Sequence, residues 1–295
     1  MGKTHRPMPF LRLVNRKNIF NLIVRKGASR FDWGDLYHWL LNLSWLQYLA
    51  LVGLLYVASN TLFALIYLTG GNCIQNARPG SFVDAFFFSV QTMATIGYGG
   101  MAPANAYANT VVAIEALTGL LGVTMVTGLA FARFSLPTAR VLFSKVAVIA
   151  PYNGVPTLMF RTANERRNLI VEAQLWVTLV RNEITTEGHF MRRLHDLQLV
   201  RSRTPIFALT WTIMHPIDET SPLYGITLEK LAEEDTEIVV TMTGFDETVA
   251  QMIHARHSFI ARDILWNKQF VDIFSRAPNG QRTIDYTQFH DVLPI

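Results

Sequence analysis

The sequence predicts a membrane α-helical domain with two spans and a re-entrant helix, followed by an all-β domain. Three observations predict it. Residues 43–77 carry no charge, and between Asp84 and Arg133 the only charged residue is Glu115. An apolar segment at 82–94 lies between these stretches, helical in length but too short to cross a bilayer. From Arg140 to the end the chain holds 16 basic and 18 acidic residues and is rich in Val, Ile, Thr, Trp and Phe, as a soluble β domain would be. At 295 residues there is room for both parts.

Residues 1–30 form a basic arm with eight Lys/Arg and no acid. Beside a membrane segment such an arm points to anionic lipid headgroups. Nucleic acid is the weaker reading, because no nucleic-acid module follows. Residues 31–42 read as an interfacial helix: Trp33, Leu36, Trp39 and Leu40 share one face, Asp35, His38 and Asn42 lie opposite, and Asp32 can cap the start. A membrane domain at 43–135 then contains a span at 44–70, a re-entrant helix at 82–94, a glycine-rich loop at 95–99 and a second span at 106–134. Lys/Arg before the first span and Arg133, Arg140 and Lys145 after the second put both termini on the cytoplasmic side of a multi-pass protein.

Residues 136–295 are expected to fold as a β-sandwich. Tight turns are predicted at Asn153-Gly154 and Asn279-Gly280. Strands are predicted within 169–179, 205–214, 237–242 and 270–274, with a short helix over 228–234 capped by Thr227. The single cysteine, Cys73, leaves no intrachain disulfide. No cleavable signal is predicted, since the first strongly apolar run begins after residue 40.

The loop carries the chemistry. Thr95-Ile96-Gly97-Tyr98-Gly99 follows a re-entrant helix between two spans. Irregular backbone is tolerated at that depth only where it lines a cavity. Gly97 and Gly99 permit geometry that a Cβ would resist. Carbonyls of Thr95, Ile96, Gly97 and Tyr98 in four such loops would replace the water around K⁺. One chain supplies one loop, so a homotetramer is expected, with K⁺ as the permeant ion and no cofactor.

In the second span, Gly119, Gly122 and Gly128 allow bending or close packing. Val123, Thr127 and Phe131 recur every four residues and are expected to line the path, with Phe131 as a hydrophobic gate. Glu115, an ionisable residue inside a span, is expected to brace the loop from behind. No Walker, G-x-G-x-x-G or Ser/His/Asp pattern supports an enzyme or a Rossmann nucleotide sensor, and no Arg-rich span supports a voltage sensor. Two other readings stay open: a weakly selective cation channel on the same scaffold, and a membrane-anchored β domain used for binding.

The chain resembles the inward-rectifier potassium channel family, most closely its prokaryotic (KirBac-type) members. The resemblance rests on Phe86-Phe87-Phe88-Ser89, the 95–99 loop, His215-Pro216-Ile217-Asp218-Glu219, Ser221-Pro222-Leu223-Tyr224-Gly225, Ala255-Arg256-His257 and Ile264-Leu265-Trp266. It implies a homotetramer with an interfacial slide helix, an immunoglobulin-like cytoplasmic domain and a bacterial inner-membrane location. It implies Phe131 as gate and Glu172 as an acid of the cytoplasmic pore. Val123 and Thr243 stand where strongly rectifying relatives carry acids. Gln91 and Met101 replace the ion pair that braces the loop in eukaryotic relatives, leaving Gln91 as a supporting residue. Arg133, Arg140, Arg166 and Arg167 match basic positions that meet anionic headgroups or phosphoinositide.

Overall fold

The computed structural model describes residues 36–166, 168–276 and 282–295. The basic arm, Asp32, Trp33, Asp35, Arg167 and the Asn279-Gly280 turn lie outside the described residues. The described chain forms two compact units that divide between Leu136 and Pro137.

The first unit is helical. The short helix α1 covers Leu36–Asn42, and Asn42 Nδ2 closes it by donating to the His38 carbonyl at 2.8 Å. The long helix α2 covers Trp45–Thr69. Its start is set by a capping box: Gln47 N donates to Ser44 Oγ at 3.2 Å and Ser44 N to Gln47 Oε1 at 2.9 Å. Its 25 residues make a rod of ~38 Å, enough to cross a hydrocarbon core.

Helix α3, Phe82–Met93, begins at the cap Ser81 and carries Asp84 in its first turn, where a carboxylate complements the helix dipole. Arg78 grips Asp84 bidentately, Nη2 to Oδ1 at 2.8 Å and Nε to Oδ2 at 2.9 Å. Helix α4, Ala106–Phe134, starts at the cap Asn105. Strands β1 (Ile74–Gln75) and β2 (Ala102–Pro103) pair antiparallel and tie the segment after α2 to the segment before α4. A small core of Phe63, Ala64, Tyr67, Cys73, Ala85, Phe88, Met93, Ala108 and Val111 holds α2, α3 and α4 together. Helices α2 and α4 are both long and apolar enough to cross a membrane.

The second unit is a β-sandwich. One sheet has the order β11-β10-β6-β7, with β8 also on β6; the other has β12-β4-β5-β3, with β9 also on β5. In the first sheet β6 (Ile170–Ile184), β7 (Phe190–Asp196), β8 (Arg203–Phe207), β10 (Glu237–Asp246) and β11 (Gln251–Ile260) pair antiparallel. In the second, β3 (Val141–Phe143), β4 (Ala147–Tyr152), β5 (Val155–Asn164) and β9 (Thr210–Pro216) do the same, and only β12 (Ile264–Trp266) joins β4 in parallel. Alternate residues turn inward: Leu175, Val177 and Leu179 of β6 and Ile238, Val240 and Met242 of β10 meet Ile149, Leu158 and Phe160 of the opposite sheet. The β4–β5 hairpin turns at Asn153 (φ 51°) and Gly154 (φ 82°), the two positive φ angles that a type I′ turn requires.

Two predicted strands are corrected. The 205–214 run is two strands, because the chain leaves β6 after Phe207 and joins β5 from Thr210. The 270–274 run is broken: one strand, β13, covers Lys268–Phe270 and the next, β14, covers Phe274–Arg276. Between them Asp272 accepts the Phe274 N–H at 2.9 Å, a side-chain turn that competes with strand pairing. The short helix α5 covers Leu228–Glu233, with Thr227 accepting the Lys230 N–H.

Candidate functional site

The loop leaves the carboxyl end of α3. Its backbone alternates: Thr95 (φ 57°), Gly97 (φ 58°) and Gly99 (φ 80°) are left-handed, whereas Ile96 and Tyr98 are not among the positive-φ residues. Left-handed residues at every second position break the strand-like alternation of carbonyl direction, so that successive carbonyls can turn to one side, as a filter built of backbone carbonyls needs. Thr95 is β-branched, so its left-handed conformation is strained. What holds it is local. The Thr95 N–H donates to the Thr92 carbonyl at 3.1 Å, and the Gln91 carbonyl accepts from both Ile96 N at 2.8 Å and Gly97 N at 3.3 Å. Gln91 thus supports the loop through its backbone. At the far end Asn76 Nδ2 donates to the Gly100 carbonyl at 2.8 Å. Residues 94–100 are exposed in the single chain, and Tyr98 is 78% exposed, uncovered by its own α3.

Glu115 is fully buried behind the loop. Tyr67 of α2 donates to its Oε2 at 2.6 Å, and Ser89 of α3 contacts its Oε1. Ser89 Oγ also donates to Asn60 Oδ1 at 3.0 Å. The sequence alone does not single out Asn60, Tyr67 or Ser89 as partners of Glu115. A polar residue in an apolar span is a usable signal for Asn60 and Ser89, but nothing in sequence spacing brings the four together.

Gly119 is packed. A Cβ there would lie 2.5 Å from the Met93 backbone oxygen, at the end of α3. Gly122 and Gly128 face open space in the single chain. Val123, Thr127 and Phe131 form an exposed row on α4, with Phe131 73% exposed. Tyr48 of α2 donates to the Val126 carbonyl at 2.7 Å, tying α2 to α4 close to that row.

The basic residues differ in how free they are. The Arg133 guanidinium donates to the Leu40 carbonyl at 2.6 Å and to the Leu43 carbonyl, both just at the end of α1. It also lies 5.0 Å from the centroids of the Trp45 and Tyr48 rings, a cation–π arrangement. Arg133 therefore anchors α1 to α4. Arg133→Ala is expected to raise amide hydrogen exchange over 36–43 by at least about tenfold, since hydrogen bonds from a charged donor contribute about 1.5–3 kcal/mol. Unchanged exchange would mean that α1 is held by other contacts. Arg166 donates to Thr138 Oγ1 at 2.7 Å and lies 3.6 Å from Asp246. Arg140 is exposed.

Glu172 sits on a β-bulge. The β6–β10 register slips between Thr243 and Phe245, opposite Glu172. Glu172 takes φ 50° and is exposed. A bulge of this kind re-aims a side chain. Gly244 faces the bulge: a Cβ there would meet Ile170 Cγ2 at 2.5 Å. Elsewhere in the sandwich, His215 joins the 215–219 and 221–225 strings. Its Nδ1 donates to the Gln198 carbonyl at 2.6 Å and its Nε2 accepts from Ser221 Oγ at 2.7 Å. Burial pushes the imidazole below its ordinary value, which keeps this neutral tautomer.

Two family models match the chain. Residues 141–295 match the inward rectifier potassium channel C-terminal domain, and residues 50–135 match the ion channel model. The chain is 50% identical over 282 residues to the inward rectifier potassium channel Kirbac3.1 of Paramagnetospirillum magnetotacticum, covering 95% of each chain. It is 32% identical to the chicken ATP-sensitive inward rectifier potassium channel 12, covering 88% of this chain and 66% of that protein. It is 29% identical to human ATP-sensitive inward rectifier potassium channel 8, covering 98% and 75%. With two apolar spans, a short apolar helix between them and a β-sandwich following in the chain, the chain belongs to the inward rectifier potassium channel family and is a transmembrane ion channel, not an enzyme.

Proposed function

We propose that four copies of this chain form one K⁺-selective pore, with the carbonyls of Thr95, Ile96, Gly97 and Tyr98 and the Thr95 hydroxyl coordinating dehydrated K⁺. The observation that carries this reading is the alternating left-handed backbone at Thr95, Gly97 and Gly99, held by the Gln91 carbonyl. A single chain leaves the whole loop and Tyr98 uncovered. Neighbouring copies supply the missing walls, with each Tyr98 ring packing on an adjacent α3. Rubidium and sodium uptake into liposomes holding the full chain tests the reading. Rubidium uptake is expected to exceed sodium uptake by at least about a hundredfold, as a filter that replaces hydration requires. Equal uptake would favour a weakly selective cation channel, and no uptake of either a membrane-anchored binding domain.

Gating is assigned to α4. Four Phe131 rings, exposed in the single chain, close the inner end by dewetting. Phe131→Ala is expected to raise open probability several-fold in single-channel recordings. An unchanged open probability would move the gate away from Phe131. Gly122 and Gly128, free of close contacts, give α4 its freedom to bend. Arg133 links the gate to the interfacial helix α1.

Glu172 of the β-sandwich is assigned as an acid of the cytoplasmic pore. Strained non-glycine backbone collects at functional positions, and Glu172 combines that strain with exposure. Four such carboxylates concentrate cations at the inner mouth. Val123 and Thr243 carry no charge, so strong block by Mg²⁺ or polyamines is not expected. Lys/Arg flanking the spans support cytoplasmic termini, and similarity to a bacterial channel supports a bacterial inner membrane. Arg140, with its side chain exposed, is the described residue best placed for an anionic headgroup such as phosphoinositide, because Arg133 and Arg166 already have partners.

A further inference from the structure

Asn60, Tyr67, Ser89 and Glu115 meet behind the filter loop, all of them at most 1% exposed. Their hydrogens can be counted. Asn60 Nδ2 lies 2.7 Å from the Tyr56 carbonyl. A carbonyl only accepts, so the amide nitrogen must face it, and Asn60 Oδ1 faces Ser89 Oγ at 3.0 Å. An amide oxygen also only accepts. The one hydroxyl hydrogen of Ser89 is therefore committed to Asn60, and Ser89 offers only lone pairs to Glu115 Oε1, which it touches. Tyr67 donates to the other oxygen, Oε2, at 2.6 Å. The contact between Ser89 Oγ and Glu115 Oε1 has no hydrogen unless Glu115 brings one.

We propose that Glu115 is a neutral carboxylic acid whose Oε1 hydrogen is donated to Ser89. The four side chains then form a chain with one direction. Tyr67 donates to Glu115, Glu115 to Ser89, Ser89 to Asn60, and Asn60 to the Tyr56 carbonyl. Every donor has an acceptor, as a buried polar network requires. The ionised alternative fails twice. Ser89 would have to turn its hydrogen to Glu115, leaving the buried Asn60 Oδ1 opposed to a lone pair. A full charge would also be buried with no ion-pair partner among the described residues: residues 43–77 and 79–132 contain no Lys, Arg or His, and the only other charged residue there is Asp84, which is paired with Arg78.

The chain reaches the filter mechanically. Asn60 Nδ2 lies 3.5 Å from Met93 Sδ, and Met93 is the last residue of α3. Asn60, Tyr67 and Ser89 are thus positioning residues that lock α2, α3 and α4 where the loop departs. They do so without adding charge beside the ion path. The link to the ion path rests on the channel reading; the protonation state does not.

Infrared difference spectroscopy on the full chain in lipid bilayers at neutral pH tests the proposal. The parent-minus-Glu115→Gln spectrum is expected to contain the carbonyl stretch of a protonated carboxylic acid, shifted in D₂O. A difference containing only carboxylate stretches would overturn it. If Glu115→Gln does not assemble, Ser89→Ala keeps the acid but removes its acceptor. The acid band should then move to higher frequency, and the absence of an acid band that responds to Ser89→Ala would overturn the proposal. The readout is independent of conduction, so the proton assignment and the channel reading can fail separately.

Discussion

Gly119→Ala is expected to abolish rubidium flux. The added Cβ would lie 2.5 Å from the Met93 backbone oxygen, 3.1 Å from Met93 Cγ and 3.3 Å from the Met93 backbone carbon. The Cγ could rotate away, but the two backbone atoms belong to the end of α3 and cannot. Helix α4 must retreat from α3, or α3 must shift the loop that follows it. Overpacking of this kind costs about 1–3 kcal/mol per site, and a tetramer would incur it four times around one axis. Movement of α4 would also pull Glu115, one helical turn earlier, from Ser89 and Tyr67. Gly53→Ala is the control. It lies in the middle of α2 with nothing within 4 Å of a Cβ, and alanine is the better helix former by about 1 kcal/mol. Gly53→Ala should therefore assemble and conduct like the parent. Size-exclusion and flux measurements on both variants check this pair. Parent-like flux from Gly119→Ala would show that the α3–α4 contact is looser than its geometry.

Gly97→Ala is expected to lower rubidium flux by at least about tenfold. Here space is not the obstacle, since among the described residues nothing lies within 4 Å of a Cβ at Gly97. The obstacle is the backbone. At φ 58° an L residue pays about 1–2 kcal/mol for the left-handed conformation, and the loop already carries a left-handed threonine two residues earlier. With four copies the easier course is for the 97 peptide to flip, which turns one carbonyl per subunit away from the ion path. Loss of the Gly97 N–H bond to the Gln91 carbonyl would accompany it. Liposome flux gives the rate, and parent-like flux would mean that the left-handed backbone at 97 is not needed for conduction.

The loop was the most legible part of the molecule, because the TxGYG pattern lies between two charge-free spans and follows a short apolar helix. The β-sandwich was legible in kind from alternation and turns. Its strand limits were less so: 205–214 reads as one apolar run, yet it changes sheets at 208–209, and no local propensity marks that change. Glu115 stood out as a lone acid in a span. Its partners did not, because Asn60, Tyr67 and Ser89 lie 26 to 55 residues away on two other helices, and each looks like an isolated polar residue. Arg133 shows the limit of reading charge alone. Its position beside a span suggested lipid headgroups, but the carbonyls left open at the end of α1 take its guanidinium. A helix end always leaves such acceptors, but which cation fills them depends on tertiary geometry. Glu172 needed the bulge, and the only trace of that in the sequence is Gly244 on the opposite strand.

Selection of K⁺ by this backbone loop depends on its carbonyls replacing the ion's hydration shell. The reversal potential of the purified full chain in a planar bilayer, with K⁺ on one side and Na⁺ on the other, tests it most directly. A reversal potential close to the K⁺ equilibrium value is expected, and a reversal near zero would show that the loop does not select K⁺.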